Sequence, residues 1–398
     1  ISRGLVGSEM CIRDRTMSEP VFNASNGSGA LEKSDFAFTL SGGSAVLVNA
    51  APTSIAASEN VYTLGINLSG TPNGAEVVGV TPVATSIYDA VGNVSVTEQS
   101  GNTATLKDKA SPIFSALDLA NNNGTIAVTF SEPIFSKNDG TGALDSLDFT
   151  FSLAGAGATL SQANPRTITK NGNVYTLGIG LDGTPSGAEV LTISPAADAI
   201  FDASGNVAQT NQALKTKTLI DKLAPTISSV VLANDNSTAA VTFSEIVFKA
   251  SNGTGDLEPG DFAVSFSGGR AKLKSATPTS VTKNGTTFTL GLDIQGTGTG
   301  KEVLAVVPKE SSIYDNAGNV ALSTQTTNTG KTKDLAGPII LSINPKSDNT
   351  ALIVEFDEET FTEPNKRAIL DTSDITLSLE GGNAIPVSYT HLTLPTME

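Results

Sequence analysis

The chain has 398 residues, with 24 Lys and Arg against 40 Asp and Glu, and a formal net charge of −16. That acidic excess repels phosphate backbones and anionic lipid, which argues against a nucleic-acid partner. No apolar run approaches the roughly 20 residues of a membrane span. A single Cys leaves no pair for a disulfide staple, and one Cys and one His are the whole supply for cysteine- or histidine-based catalysis.

Both termini carry a second message. Back-translation of Leu5–Arg15 permits a string ending in AGATGTGTATAAGAGACAG, and Pro386–Leu392 permits its reverse complement. The strings resemble a transposon-type sequencing adapter. Residues 1–15 and 387–398 are therefore expected to be adapter-derived rather than native, and the segment between them to be a fragment open at both ends. Cys11 and His391, the only residues of their kinds, lie in those ends. Three basic and three acidic residues lie there too, so the rest keeps the same net charge.

A repeat of 113 residues organises everything between. Glu19 steps to Glu132, Glu245 and Glu358. Asp35 steps to Asp148, Asp261 and Asp374, and Asp108 to Asp221 and Asp334. The linkers DKASP, DKLAP and DLAGP set the phase, each placing a proline before a new apolar strand. The expected copies are 16–109 (truncated at its start), 110–222, 223–335 and 336–386 (truncated at its end).

Copy 2 shows the elements in chain order. Ile113–Leu119 predicts a first strand and Thr125–Glu132 a second, the latter facing Ile126, Val128 and Phe130 one way. Asp148–Leu153, Ala158–Gln162, Val174–Leu181 and Ala188–Pro195 follow, and Asn206–Ile220 holds the last strand. Asn123-Gly124, Asn171-Gly172 and Asp182-Gly183 read as turns. No stretch shows a helical period. The expected fold is all-β, with tandem two-sheet sandwiches of about seven strands each. Phe130, Phe149, Phe151, Tyr175 and Leu177 are the expected core.

FSEPIF, GALDSLDF, VYTLGI and FDASGN resemble the immunoglobulin-like repeats of large bacterial surface proteins, such as the SbsA-like and SwmB-like repeats and those of giant adhesins. The resemblance spans the chain between the adapter-like ends. It implies extracellular or cell-surface extender or adhesive modules that contact their neighbours in the chain. A cell-surface or matrix ligand of unspecified identity is the implied partner, and several such families hold calcium at domain junctions. Accessory domains of a secreted glycosidase or protease are the alternative, and an S-layer component is a third.

The candidate chemistry is acidic. Asp-x-x-Gly-Asn recurs at Asp89–Asn93, Asp202–Asn206 and Asp315–Asn319. These oxygens suit calcium, which takes six to eight hard ligands. They equally suit a tight turn in which Asp caps and Gly supplies positive φ. The linker carboxylates Asp108, Asp221 and Asp334 are expected either to stay solvated or to join Glu132 or Glu245 of the next copy, or the Asp-x-x-Gly-Asn turn of their own. The acidic loops Asn138–Asp148 and Ser251–Asp261 lack the EF-hand spacing and read as surface connections. Gly296–Lys301 fails the phosphate-loop pattern, with Gln295 before it and Glu302 after the lysine. Every prominent carboxylate recurs once per copy, as scaffold residues do, so no enzyme activity is expected.

Overall fold

The computed structural model describes residues 12–364, 368–371, 373–378 and 380. Cys11, His391 and the adapter-like segment 387–398 lie outside them. The described residues hold strands, three short 3-10 turns and no α-helix. Small antiparallel sheets recur about every 110 residues. Two compact units divide within the DKLAP linker, Ile1–Leu223 and Ala224–Glu398.

In the first unit, copy 2 has a four-stranded sheet ordered Ile168–Asn171, Val174–Gly178, Thr125–Phe130, Phe114–Leu119. A three-stranded sheet runs Phe149–Ala154, Val190–Pro195, Thr216–Thr218. Ala158–Leu160 pairs with Leu181–Gly183, and Ile134–Phe135 with Phe201–Asp202. In the second unit, copy 3 keeps the same register 113 residues on: Val128 opposite Tyr175 becomes Val241 opposite Phe288.

Alternation explains the strands. Thr125–Phe130 buries every second residue, and Ile126, Val128 and Phe130 are at most 2 % exposed. One core cluster gathers side chains from both larger sheets of copy 2, and all five expected core residues are in it. The Phe130 ring meets Phe114 and Tyr175 edge-on at 5.1 and 5.8 Å, the arrangement that ring quadrupoles favour. Copies 1 and 3 have core clusters of their own.

One sequence expectation needs correction, and two further strands are now placed. Asp182-Gly183 is no turn but lies in the strand Leu181–Gly183. The glycine serves close approach there: at φ 85° an added Cβ would stand 2.7 Å from the Gly157 carbonyl oxygen. The last strand, Thr216–Thr218, lies inside Asn206–Ile220 as expected, and Gln212 ahead of it accepts the Phe114 N–H at 3.0 Å. Ile168–Asn171 is an additional edge strand with one half-buried side chain, too weak an alternation to read from sequence.

The ends of the repeat differ from its middle. Ile12–Thr16 pairs with Val61–Gly65 as Thr125–Thr129 does with Val174–Gly178, although Arg13 and Arg15 stand where copy 2 has Ile126 and Val128. Main-chain pairing is blind to side chains, so a free sheet edge accepts such a strand. In copy 4 the described strands are one hairpin, Ile340–Pro345 with Leu352–Phe356. Ile340 is 49 % exposed where its counterpart Ile227 is fully buried.

A buried carboxylate fastens each copy. Glu76, Glu189 and Glu302 are fully buried. Glu302 accepts N–H groups from Arg270 at 2.7 Å, Ala271 at 2.9 Å and Thr299 at 2.8 Å, and a hydroxyl from Thr332 at 2.8 Å. Burial pushes its carboxyl up, but these donors outweigh it and hold it down to about 2. Glu76 and Glu189 are held below the ordinary value in the same way, against the same effect of burial. A depressed folded-state value adds stability above the unfolded value of about 4.3. That stability drains away as pH falls toward about 2. Glu302→Gln should lower the stability of copy 3 by about 2 kcal/mol at neutral pH, because one accepting oxygen becomes an NH2 group that faces buried donors. Thermal unfolding against pH should show the gap between variant and parent closing below about pH 4.

Candidate functional site

The Asp-x-x-Gly-Asn segments are tight turns. Asp202 is fully buried. Its Oδ1 accepts the N–H groups of Ser204 and Asn206 at 2.8 Å each, and its Oδ2 accepts the Asn206 amide at 2.7 Å. Asp89 makes the same bonds with Val91 and Asn93, and Asp315 with Ala317 and Asn319. Gly205 has φ 84°, and an added Cβ would stand 2.7 Å from the Asn138 carbonyl oxygen. Each asparagine thus gives its amide nitrogen to its own aspartate.

The linker aspartates also start from a local role. Asp108 Oδ1 accepts the Ala110 N–H at 2.9 Å, and Asp221 and Asp334 accept from Leu223 and Ala336 likewise. Gly74 leaves room for Asp108, since an added Cβ there would lie 3.2 Å from its side chain.

The two features meet. Asp108, Glu132 and Asp202 each bring a carboxylate oxygen within 4.8 Å of the others. Asp108 comes from the linker, Glu132 follows the strand Thr125–Phe130, and Asp202 ends the short strand Phe201–Asp202. The linker carboxylate thus joins the turn of the following copy. In the second unit, Glu245 and Asp315 approach each other within the same limit. Asp221 holds the position equivalent to Asp108 in the repeat. Asp334 and Glu358 line one hollow with Glu359 and Glu363. Asp89 and Asn93 make the first copy's turn.

Among the described residues the ion pairs are Lys249–Glu258, Arg270–Asp357 and Lys274–Asp293, so none neutralises the Asp108 cluster. Burial, then the charges of Asp108 and Asp202, push Glu132 up to about 7. Oxygen donors alone, with no nitrogen or sulfur, suit a hard cation such as calcium.

The sequence missed the buried glutamates. The available signal was a charge recurring at 113-residue steps on a strand edge, in AEVV, AEVL and KEVL.

A comparison with protein-family models finds no match, and a comparison with curated proteins finds no significant match. What the fold itself defines is an all-β protein of repeated small antiparallel sheets, consistent with tandem β domains.

A raised folded-state value means that Glu132 supports the fold when protonated and opposes it as pH rises through about 7. In chelator, Glu132→Gln should therefore melt higher than the parent at pH 8 and close to it at about pH 4, below the unfolded value. Scanning calorimetry at the two pH values checks both the sign and its disappearance.

Proposed function

We propose that the chain is a run of immunoglobulin-like two-sheet sandwiches, extender or adhesive repeats of a large secreted or cell-surface bacterial protein, with calcium bound where one copy hands over to the next. The observation that carries the reading is the cluster of Asp108, Glu132 and Asp202, where the linker of one copy meets two carboxylates of the following one. A divalent cation there would neutralise charges that otherwise repel, and would tie the linker to the next domain.

Other features support the extender role. Each of the three copies has its own core cluster, so stability is mostly local to a bead, as in repeat arrays. The recurrent carboxylates work on the scaffold. Asp35, Asp148 and Asp261 accept backbone N–H groups at the entry to 3-10 turns, and Glu76, Glu189 and Glu302 bind backbone inside each copy. Carboxylates committed in this way are poor candidates for catalysis, which favours a non-enzymatic role.

The test is thermal unfolding of the whole chain in calcium and in chelator. At about 100 times the dissociation constant, calcium should add about 2.7 kcal/mol per site. For domains of this size that raises the melting temperature by several degrees. Asp108→Ala should abolish the part of the rise that belongs to copy 2, while magnesium at equal concentration should give less, since it demands tighter octahedral geometry. No calcium-dependent rise in the parent would leave the cluster a repulsive accident of the junction and remove the metal from the reading.

A further inference from the structure

We infer that Arg270, Lys301 and Asp357 form a charge lock that specifies the fourth copy as the successor of the third, a device that the earlier copies do not encode. The inference concerns pairing between copies and does not depend on calcium or on the extender role.

Asp357 is 13 % exposed at its side chain and stands just after the strand Leu352–Phe356 of copy 4. Its Oδ1 accepts the Ile339 N–H at 2.8 Å. Its Oδ2 lies 3.1 Å from Arg270 of copy 3. The same guanidinium donates to the Gly337 carbonyl at 3.3 Å, and Lys301 of copy 3 donates to the Asp357 carbonyl at 2.6 Å. Two cations of one copy thus hold a carboxylate and two carbonyls of the next.

The repeat supplies its own comparison. Position 357 is Ser131 in copy 2 and Ser244 in copy 3. Each serine accepts the N–H that begins its copy's first strand, from Ile113 at 3.1 Å and from Thr226 at 3.0 Å. Asp357 keeps this local duty with one oxygen and gains a second oxygen facing copy 3. Position 270 is Ser44 and Gly157 in the earlier copies, and position 301 is Ala75 and Ala188. Three neutral positions have become two cations and one anion, and the three changed residues touch. A lone exposed pair contributes little. Here the specificity is also repulsive: copy 3 set against a serine-bearing successor would leave Arg270 without its carboxylate and Lys301 beside a neutral side chain.

The test uses the whole chain with Cys11→Ser and spin labels at the exposed positions Ser265→Cys and Ser347→Cys, one in each copy. Electron–electron resonance should give one narrow distance distribution for this parent. Arg270→Ser with Lys301→Ala should lose the narrow component, and so should Asp357→Ser. All three substitutions install residues that the chain already carries at the equivalent positions, and an unchanged melting transition for copy 3 will show that it stays folded. Salt near 1 M, where the screening length falls to about 3 Å, should broaden the parent distribution as well. A narrow distribution that survives Arg270→Ser with Lys301→Ala would overturn the lock, as would a parent distribution already broad at low salt.

Discussion

A carboxylate that accepts main-chain N–H groups is the joint on which this protein depends. Its strands are short, mostly two to six residues, and no disulfide is available to hold their connections. Loops of a small β domain leave N–H groups that must be satisfied once water is excluded. Glu189 does this for Ala158 and the Ser186 turn, Asp202 for the Ser204–Asn206 turn, and Asp148 for the entry to Phe149–Ala154. Each is a strong, charge-assisted arrangement. No buried side-chain polar atom among the described residues lacks a partner. Much of the net charge is therefore structural rather than a solubilising coat.

This joint also explains why the junction is acidic. Asp202 must be a carboxylate to hold its own turn, and Asp108 must be one to hold its linker. Their meeting beside Glu132 concentrates charge that each residue carries for local reasons. Burial, and after it these two charges, raises the Glu132 carboxyl. The proposed cation would neutralise that charge without giving up either local role, because bonds from N–H groups leave lone pairs on a carboxylate oxygen.

The sequence made the core legible, and the reason is physical. Ile126, Val128, Phe130, Phe149 and Tyr175 sit on strands whose alternation matches the two-residue pleat, so burial leaves a direct trace. The 113-residue step showed which carboxylates belong together, but not that Asp108 meets Asp202 rather than Asp89. That choice depends on how the linker leaves one copy, and no local pattern encodes it. Asp182-Gly183 misled because Gly at positive φ serves a turn and a close strand contact equally well. Glu189 was invisible for a related reason. A glutamate at a strand edge is ordinarily solvated, and only the fold reveals N–H groups converging on it. Asn123 shows the same limit. Read as half of a turn signal, it does adopt φ 58°, but its buried side chain also bonds both main-chain groups of Ile220, 97 residues away.

Repetition creates a second problem that the joint alone does not solve. Copies with the same register and the same cores can pair wrongly, because one copy's surface suits any neighbour. Near-identical repeats are prone to misassembly for this reason. Position 357 shows how one chain can escape it at little structural cost. The site already hosted a polar acceptor for the first strand's N–H, so changing serine to aspartate preserved the local bond while adding an oxygen that points at copy 3. Arg270 and Lys301 stand where the other copies carry small side chains; Arg270 answers that oxygen and Lys301 the Asp357 carbonyl. Divergence among repeats is therefore constrained in a predictable way. It is tolerated where a residue keeps its local duty and faces a neighbouring copy, and it is excluded at positions such as Glu302, where every oxygen is already taken up by the copy's own backbone and hydroxyls.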